Sequence, residues 1–209
     1  MDKVNEVFSL LKNNSLPGKF SSDIMEHLET LYLYSRECNS VFETGVRGCV
    51  SSWAFLKGLM ENNSSGNRLF LNDVTVCDVY DLLKAGANSN VEIRYEWKNN
   101  LLLEFNEKFD ITFIDTWHVY GQLKRELEKF SKITNKYIIM HDTTVDEIYG
   151  ETIRCHMDAY KQSQESGIPI EEINKGLWPA VEEFVNNNPE WYIKERYTNN
   201  HGLTILARR

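Results

Sequence analysis

Acidic and imidazole side chains follow three short runs of strand-forming residues in this sequence. Glu43, Asp115 and the pair His141-Asp142 each end such a run, and His118 comes three positions after Asp115. A carboxylate accepts hydrogen bonds from hydroxyls or ligates hard cations, and an imidazole can take a proton near neutral pH. In open α/β sheets, ligands bind outside the carboxyl ends of the strands. We therefore expect these residues to line one pocket.

The turn after Glu43 favours close approach of the backbone to a ligand. Gly45 and Gly48 lie in it, and glycine permits both unusual φ angles and a short distance between backbone and ligand. An ordinary strand-to-helix turn is the alternative, because acid–x–Gly turns are common. The dinucleotide fingerprint G-x-G-x-x-G is absent, which counts against a nicotinamide-dependent oxidoreductase.

The composition limits the classes of protein to which the chain can belong. Its 209 residues, 42% of them hydrophobic, suffice for one sizeable core. A net charge of -8 argues against nucleic-acid binding, which needs a basic surface. No apolar run approaches the roughly 18 residues of a membrane-spanning helix, and no secretory signal pattern opens the chain. Four cysteines without C-x-x-C spacing indicate buried thiols in a reducing compartment, so we expect a cytoplasmic protein.

Strand and helix patterns alternate through the middle of the chain. Five strands alternating with helices predict a parallel sheet with helices on both faces. Strands are predicted over 40–44, 69–74, 91–96, 110–115 and 136–141, and helices over 50–61, 76–86, 98–106 and 119–131.

The two ends of the chain depart from this alternation. The first 15 residues predict an amphipathic helix broken near Pro17, and Ser22 predicts an N-cap for a second helix. Helices over 147–166 and 178–187 then precede two strands, 191–197 and 203–207, joined by the hairpin signal at 199–202. We expect a single domain over 1–209, in which helices over 1–36 form a cap or an oligomer interface and 37–209 form the α/β core.

Three segments, 113–120, 137–142 and 178–206, resemble the class I S-adenosylmethionine-dependent methyltransferases, and within them the cephalosporin-hydroxylase-like branch of small-molecule O-methyltransferases. The resemblance covers roughly residues 20–209. It implies a Rossmann-like, mostly parallel seven-stranded sheet that ends in an antiparallel hairpin. One departure concerns the glycine turn. The family places glycines at alternating positions after the acid, and Arg47 and Cys49 stand here at the second and third of them.

The resemblance implies that S-adenosylmethionine binds at the strand ends. Glu43 would hold the ammonium group of the cofactor or orient the loop. Asp73 would accept both ribose hydroxyls, unless the Asn-Asp pair only forms a turn. Glu96 would accept the adenine amino group and Trp97 would stack on the ring, unless they open a helix with a core indole. The predicted cofactor-binding residues are Glu43, Thr44, Gly45, Gly48, Asn72, Asp73, Glu96, Trp97 and Asp115.

The resemblance also implies a divalent cation, Mg²⁺ or another, held by Asp115, His141 and Asp142. Histidine at position 141 stands where an oxygen ligand is expected, so the ion differs, His141 stays out, or the metal has been lost. Two acids that merely cap the following helices are the alternative. His118 would be the general base, with Asp115 as its catalytic partner. The reaction implied is methyl transfer to a hydroxyl of a sugar or a glycosylated or phenolic metabolite.

Two other readings of the sequence stay open. A protein that binds S-adenosylmethionine as a sensor or an assembly partner would also explain the unusual turn and His141. A nicotinamide-dependent oxidoreductase is the third reading. Four aromatic residues either wall the acceptor pocket or only pack helices: Trp117, Tyr120, Tyr149 and Trp178. The acidic runs 146–147 and 182–183 are expected to be solvated helix faces.

Overall fold

The computed structural model describes residues 2–15 and 22–209. Its strands are β1 (Ser40–Thr44), β2 (Asn67–Asp73), β3 (Val91–Trp97), β4 (Phe109–Ile114), β5 (Thr134–His141), β6 (Trp191–Tyr197) and β7 (Leu203–Arg208). They form one sheet in the order β3-β2-β1-β4-β5-β7-β6. The parallel pairs among β1–β4 and the antiparallel pairs of β7 confirm the predicted Rossmann-like class I methyltransferase architecture. By its contacts the chain divides into two compact units, Met1–Ile114 and Asp115–Arg209.

The helices among the described residues are short. They are α1 (Asp2–Lys12), α2 (Leu28–Arg36), α3 (Val50–Glu61), α4 (Tyr80–Ala87), α5 (Tyr120–Phe130), α6 (Glu151–Arg154), α7 (Ala159–Ser166), α8 (Ile170–Asn174) and α9 (Trp178–Asn187), with 3₁₀ turns at Met25–His27 and Asn100–Leu102. Within these ranges, no helix combines the length and the apolar character needed to cross a membrane.

β1 is the central strand of the first unit. It pairs in parallel with β2 and with β4, and β2 pairs in parallel with β3. Every residue of β1 is buried, which is the pattern of a strand covered on both faces. Four aromatic rings pack together on these strands and the following loop, with centroid distances of 5.0 to 6.1 Å: Phe42, Phe70, Phe105 and Phe109.

The amphipathic helix α1 packs inside the first unit. Val4, Phe8 and Leu11 are all buried, and the Phe8 ring lies 5.6 Å from that of Tyr32 on α2. Lys57 of α3 lies over both rings and pairs with Glu61. The apolar stripe predicted for the first helix is therefore covered by this chain itself, and a role of the N-terminal helices in an oligomer stays a prediction.

The second unit is built on an antiparallel hairpin. β7 pairs in antiparallel with β6, as the turn signal predicted, and in antiparallel with β5 on its other side. Asn200, His201 and Gly202 in the hairpin loop all have positive φ angles. The amides of Thr144 and Val145 donate to the His201 carbonyl, at 2.9 and 3.0 Å, and tie the loop after β5 to the hairpin.

Two predicted helices are wrong. The segment 98–106 forms only a 3₁₀ turn, because the Asn99 side chain accepts from the Leu101 amide and Leu103 is extended. The stretch 147–166 is two helices, α6 and α7. The chain breaks between them at His156, which has positive φ, and Asp158 caps α7 by accepting from the Lys161 amide.

Two helix starts also differ from prediction. α2 begins at Leu28 after a 3₁₀ turn, so Ser22 is not its N-cap. α4 begins at Tyr80 rather than near 76, because Asp73 binds the Thr75 amide and holds the preceding residues in a loop. The predicted break at Pro17 lies outside the described residues.

All four cysteines, which lie within the described residues, are thiols rather than disulfides. Cys38, Cys49 and Cys77 are buried, as predicted, whereas the prediction is wrong for Cys155, which is exposed. Cys49 lies in the turn after β1, where its Sγ contacts the Asp78 carbonyl at 3.4 Å.

Candidate functional site

The turn after β1 has a backbone that alternates into the left-handed region. φ is 92° at Gly45, 39° at Arg47 and 59° at Cys49, and α3 begins at Val50. These are the three positions at which the related family is expected to carry glycine. The turn thus keeps a glycine-type conformation although Arg47 and Cys49 have side chains. The left-handed backbone at each of them costs about 1–2 kcal/mol of stability.

Glu43 fixes the other end of this turn. Its side chain is fully buried, and Oε1 accepts from Ser51 Oγ at 2.5 Å. Since Ser51 lies in the first turn of α3, the carboxylate joins the end of β1 to the start of the helix. The sequence left two roles open for Glu43, holding the ammonium group of the cofactor or orienting the loop. This contact favours the second role.

Asp73, at the end of β2, is bound by two loops. Oδ2 accepts from the Arg47 amide at 2.9 Å, and Oδ1 accepts from the amide and the hydroxyl of Thr75, both at 2.8 Å. Burial alone would raise the pKa of the Asp73 carboxyl, but these hydrogen bonds outweigh it and hold that pKa below its ordinary value. The Asp73 carboxylate therefore favours its ionised form, and the hydrogen bonds it accepts set the conformation of the glycine-type turn.

Asn72 joins three strand ends through its side-chain amide. Nδ2 donates to the carbonyls of Glu96 and Lys98, at 3.0 and 2.8 Å, and Oδ1 accepts from Thr44 Oγ1 at 2.9 Å. Asn100 completes the network by donating to the same hydroxyl at 3.0 Å. Asn72 is almost fully buried, so its amide is a structural clamp of the strand ends.

Glu96 and Trp97 stand exposed at the end of β3. Trp97 is 63% exposed although its indole N–H donates to the Val74 carbonyl at 2.8 Å. The hydrogen bond fixes the ring while one surface stays open to solvent. Glu96 pairs loosely with Lys98, at 3.8 Å. An immobilised, exposed indole is a suitable platform for stacking a planar ligand.

The sheet register brings the predicted cofactor residues of the first unit to one edge. Thr44 is level with Asn72, Asn72 with Glu96, and Asp73 with Trp97. The sequence therefore placed the ends of β1, β2 and β3 correctly. Their individual contacts with a cofactor stay predictions.

His118 is the centre of the second unit's polar cluster. Nε2 lies 3.2 Å from Asp115 Oδ1 and 3.1 Å from Asp142 Oδ2, and Nδ1 lies 3.2 Å from Asp146 Oδ2. Glu151 Oε2 lies 3.8 Å from Nδ1. Four carboxylates thus face one imidazole ring.

The charges around His118 decide its protonation. Burial alone would lower the pKa of the imidazole, but hydrogen bonds to Asp115 and Asp146 and the charge of Asp142 outweigh burial, and the pKa lies well above its ordinary value. For Asp115, burial acts to raise the pKa, and the bonds from His118 and His141 hold it far below the ordinary value. The carboxylates around the ring therefore favour the protonated form of His118.

His141 and His201 contact Asp142 from the other side. His141 Nδ1 lies 3.0 Å from Asp142 Oδ2, and its Nε2 lies 3.1 Å from the Asn200 carbonyl. Burial alone would lower the pKa of His141, but its bonds to Asp115 and Asp142 raise that pKa to about 10. His201 Nδ1 lies 3.0 Å from Asp142 Oδ1, and the sequence reasoning missed this residue. The turn signal at 199–202 indicates the hairpin but not this contact, which joins residues 59 positions apart.

A metal ion is compatible with this donor set. One ligand atom each from Asp115, His118 and Asp142 lies within 4.8 Å of the others. One imidazole and two carboxylates suit a first-row transition ion such as Mn²⁺ better than Mg²⁺, which prefers oxygen ligands. Of the three predicted metal ligands, Asp115 and Asp142 belong to this group, and His141 contacts both of their carboxylates.

Asp146 contradicts the expectation of a solvated acidic face. Its side chain is fully buried, and it accepts from Arg154 Nε at 2.6 Å and Nη2 at 2.9 Å in addition to its contact with His118. Burial acts to raise the pKa of Asp146, and the bonds from His118 and Arg154 hold it below its ordinary value. No helical periodicity marks the residue, because it lies in the loop between β5 and α6.

The four aromatic candidates have different environments. Trp117 packs against the cluster of Val119, Ile168 and Ile173, so it belongs at least partly to the core. Tyr120 is buried and bonded to Glu183. Trp178 carries Arg196 over its ring at 3.6 Å, and Tyr149 is 67% exposed.

Comparison with known proteins supports the fold. No protein-family model and no curated protein sequence matches the chain. The chain is similar to the solved structure of an O-methyltransferase from Bacillus cereus in complex with SAH, with 16% identity, a TM-score of 0.59, and coverage of 100% of this chain and 91% of that one. It is similar to the O-methyltransferase TomG from Streptomyces achromogenes, in complex with SAM, with 13% identity, a TM-score of 0.60, and coverage of 100% and 90%.

A third similar structure is that of an enzyme named for a nitrogen acceptor. It is the N-methyltransferase NodS from Bradyrhizobium japonicum, with 10% identity, a TM-score of 0.54, and coverage of 89% of this chain and 96% of that one. The chain has the class I methyltransferase fold. Because one fold carries both oxygen and nitrogen acceptors, the acceptor must be argued from the site.

Proposed function

We propose that the protein transfers the methyl group of S-adenosylmethionine to a hydroxyl of a small molecule. The observation that carries the proposal is His118, held at the end of β4 with Asp115 and Asp142 around Nε2, in a chain with the fold of cofactor-bound O-methyltransferases. An imidazole among carboxylates can remove the proton of a hydroxyl acceptor. An amine acceptor would not need a general base in the same way.

The cofactor belongs, in this proposal, to the strand ends of the first unit. The backbone of the turn is in the left-handed region at Gly45, Arg47 and Cys49. Hydrogen bonds to Asp73 and Glu43 fix the conformation of this turn. Trp97 offers its exposed indole to the adenine ring. These contacts support a preformed site, which lowers the entropic cost of binding.

The reaction needs positioning and the removal of one proton. The acceptor oxygen attacks the methyl carbon, the bond from that carbon to sulfur breaks, and S-adenosylhomocysteine leaves as the neutral thioether. The hydroxyl proton passes to Nε2 of His118. Asp115 and Asp142 then face the imidazolium with opposite charge and stabilise it.

The raised pKa of His118 sets a condition on this role. A base must be unprotonated when the acceptor arrives, and the carboxylates of Asp115 and Asp142 keep the proton on the ring. A divalent cation bound between those two carboxylates would neutralise them and lower the pKa of the acceptor hydroxyl. We propose Asp115, Asp142 and His141 as the residues that would hold such an ion, which leaves His118 Nε2 for the proton.

The same observation favours one alternative. A permanently protonated His118 would make the protein a binder of S-adenosylmethionine, a sensor or an assembly partner, without turnover. We prefer the enzyme, because four carboxylates converging on one imidazole are costly to a fold and are typical of catalytic sites. The cytoplasm stays the predicted compartment, supported by four cysteines that are thiols rather than disulfides.

Calorimetry and a turnover assay separate these functions. The full chain is titrated with S-adenosylmethionine in EDTA, in Mg²⁺ and in Mn²⁺, and is then incubated with labelled cofactor and catechol or methyl glucoside as hydroxyl acceptors. Binding with methylation of either acceptor supports the enzyme. Binding without turnover across both acceptors and all three conditions supports the sensor, and no binding at millimolar cofactor overturns both.

A further inference from the structure

Asp146 and Arg154 form an ion pair in which the carboxylate is buried and the guanidinium is partly exposed, and the pair has no part in the reaction described so far. Arg154 reaches Asp146 with two guanidinium nitrogens, at 2.6 and 2.9 Å, while Asp146 is fully buried. A two-point pair of this kind fixes the plane of a carboxylate. The remaining acceptor position of Oδ2 is directed at Nδ1 of His118, 3.2 Å away.

We propose that Asp146 is the positioning residue for His118, a role that rests on the proposed function. By accepting the Nδ1–H it fixes the ring so that Nε2 faces Asp115 and Asp142. Because Nδ1 is engaged by Asp146, Nε2 is the ring nitrogen on the side of Asp115 and Asp142. The logic is that of any carboxylate–histidine pair in which the acid selects the tautomer.

Local backbone contacts support this assignment. The Glu151 amide donates to the His118 carbonyl at 2.9 Å, and the Asp146 amide donates to the Asp142 carbonyl at 3.1 Å. α6, which carries both Glu151 and Arg154, is thus tied to His118 at two levels, through the backbone and through Asp146. One end of this four-residue helix contacts His118 through Glu151, and the other end contacts Asp146 through Arg154. Orientation of the imidazole ring explains this arrangement.

A plain structural role for the ion pair is the competing explanation, and it predicts different results. If the pair only anchors α6, its loss lowers stability without changing the ring state of His118. If Asp146 positions the ring, its loss changes the Nδ1 environment of His118 in a folded protein. Ring nitrogen spectra separate these cases because they report which nitrogen carries a proton.

The test uses the full chain labelled with ¹⁵N-histidine, with His118 assigned by loss of its signals in His118→Gln. Asp146→Asn is the main variant. Arg154→Gln, on a partly exposed side chain, serves if the first variant fails to fold. Glu172→Gln is the matched control, because it breaks an Arg–carboxylate pair in the same unit, with Arg125 at 2.6 Å. In the described part of the chain, Arg125 donates to Glu172 and to the Gly121 carbonyl, and not to a histidine.

We expect Asp146→Asn to shift the Nδ1 signal of His118, and Arg154→Gln to shift it less, while Glu172→Gln leaves it in place. Turnover on catechol or methyl glucoside should fall about tenfold or more in Asp146→Asn, with the KM for cofactor within about twofold. Unchanged His118 signals in both folded variants, or full turnover in Asp146→Asn, would overturn the proposal. A wild-type chain that binds no cofactor refutes the proposed function instead, and the spectra still decide whether Asp146 orients His118.

Discussion

Asp142 directs its Oδ2 to within 3.1 Å of His118 Nε2 from a backbone in the left-handed region, with φ of 57°. Aspartate tolerates this conformation better than most residues but still pays about 1 kcal/mol or more. His201 and His141 brace the same carboxylate from the hairpin and from β5. Strain that is maintained by several independent contacts indicates that the direction of this carboxylate matters to the site.

The first prediction concerns His118 as the base. His118→Ala should lower turnover on the order of 10²-fold or more, because it removes the proposed acceptor of the hydroxyl proton, while cofactor affinity stays within a few fold. Isothermal titration with S-adenosylmethionine and steady-state rates check the two parts. His156→Ala is the control, since His156 is exposed in the same unit. Equal rates for the two variants would remove His118 from the mechanism.

The second prediction concerns the strain in the turn after β1. Arg47→Gly should raise the free energy of unfolding relative to Arg47→Ala by about 1 kcal/mol, because only glycine adopts the left-handed φ of 39° without a Cβ clash. Comparing Gly with Ala removes the contribution of the Arg47 side chain and its exposed pair with Asp23. Urea unfolding of both variants is the measurement. A more stable alanine variant would show that this position carries no such strain.

The fold was predictable because local pattern and burial agree along the central strands. β1, α3, β6 and α9 begin and end where the sequence indicates, since each joins a clear apolar run to a turn or cap. The failures lie where side chains outcompete the helical backbone. Asn99 captures an amide and stops the helix predicted over 98–106, and Asp158 starts a new helix inside 147–166.

The site was predictable in its strand-end residues and, through the family resemblance, in His118. Asp115 and Asp142 follow the rule that strand ends carry ligands, so their positions could be found from sequence. Asp146 and His201 lie in loops, where no period indicates which way a side chain faces. Their roles depend on contacts across 28 and 59 positions of the chain, and no local signal encodes these.

The third prediction concerns the clamp formed by Asn72. Asn72→Ala should destabilise the folded chain by about 2–4 kcal/mol, because it leaves the partly buried carbonyls of Glu96 and Lys98 without this donor and removes a buried amide. Thermal or urea unfolding measures the loss. Asn88→Ala is the matched control: its amide also donates to a carbonyl, that of Lys84 at 2.8 Å, but on an exposed surface. A loss below about 1 kcal/mol for Asn72→Ala would show that water replaces the clamp.

The last prediction is a pH dependence set by Asp73. Its pKa is lower in the folded protein than the ordinary value of 3.8, because hydrogen bonds from Arg47 and Thr75 outweigh the effect of burial. A depressed pKa contributes stability that is present above the unfolded value and is lost as pH falls through the folded one. The urea concentration at the unfolding midpoint should therefore decrease as the pH is lowered from about 5 until the native state is lost. The decrease should be less steep in Asp73→Asn. Asp81→Asn removes the same charge from an exposed site and is the control. Parallel pH profiles for Asp73→Asn and the wild type would mean that the Asp73 carboxylate does not hold the turn.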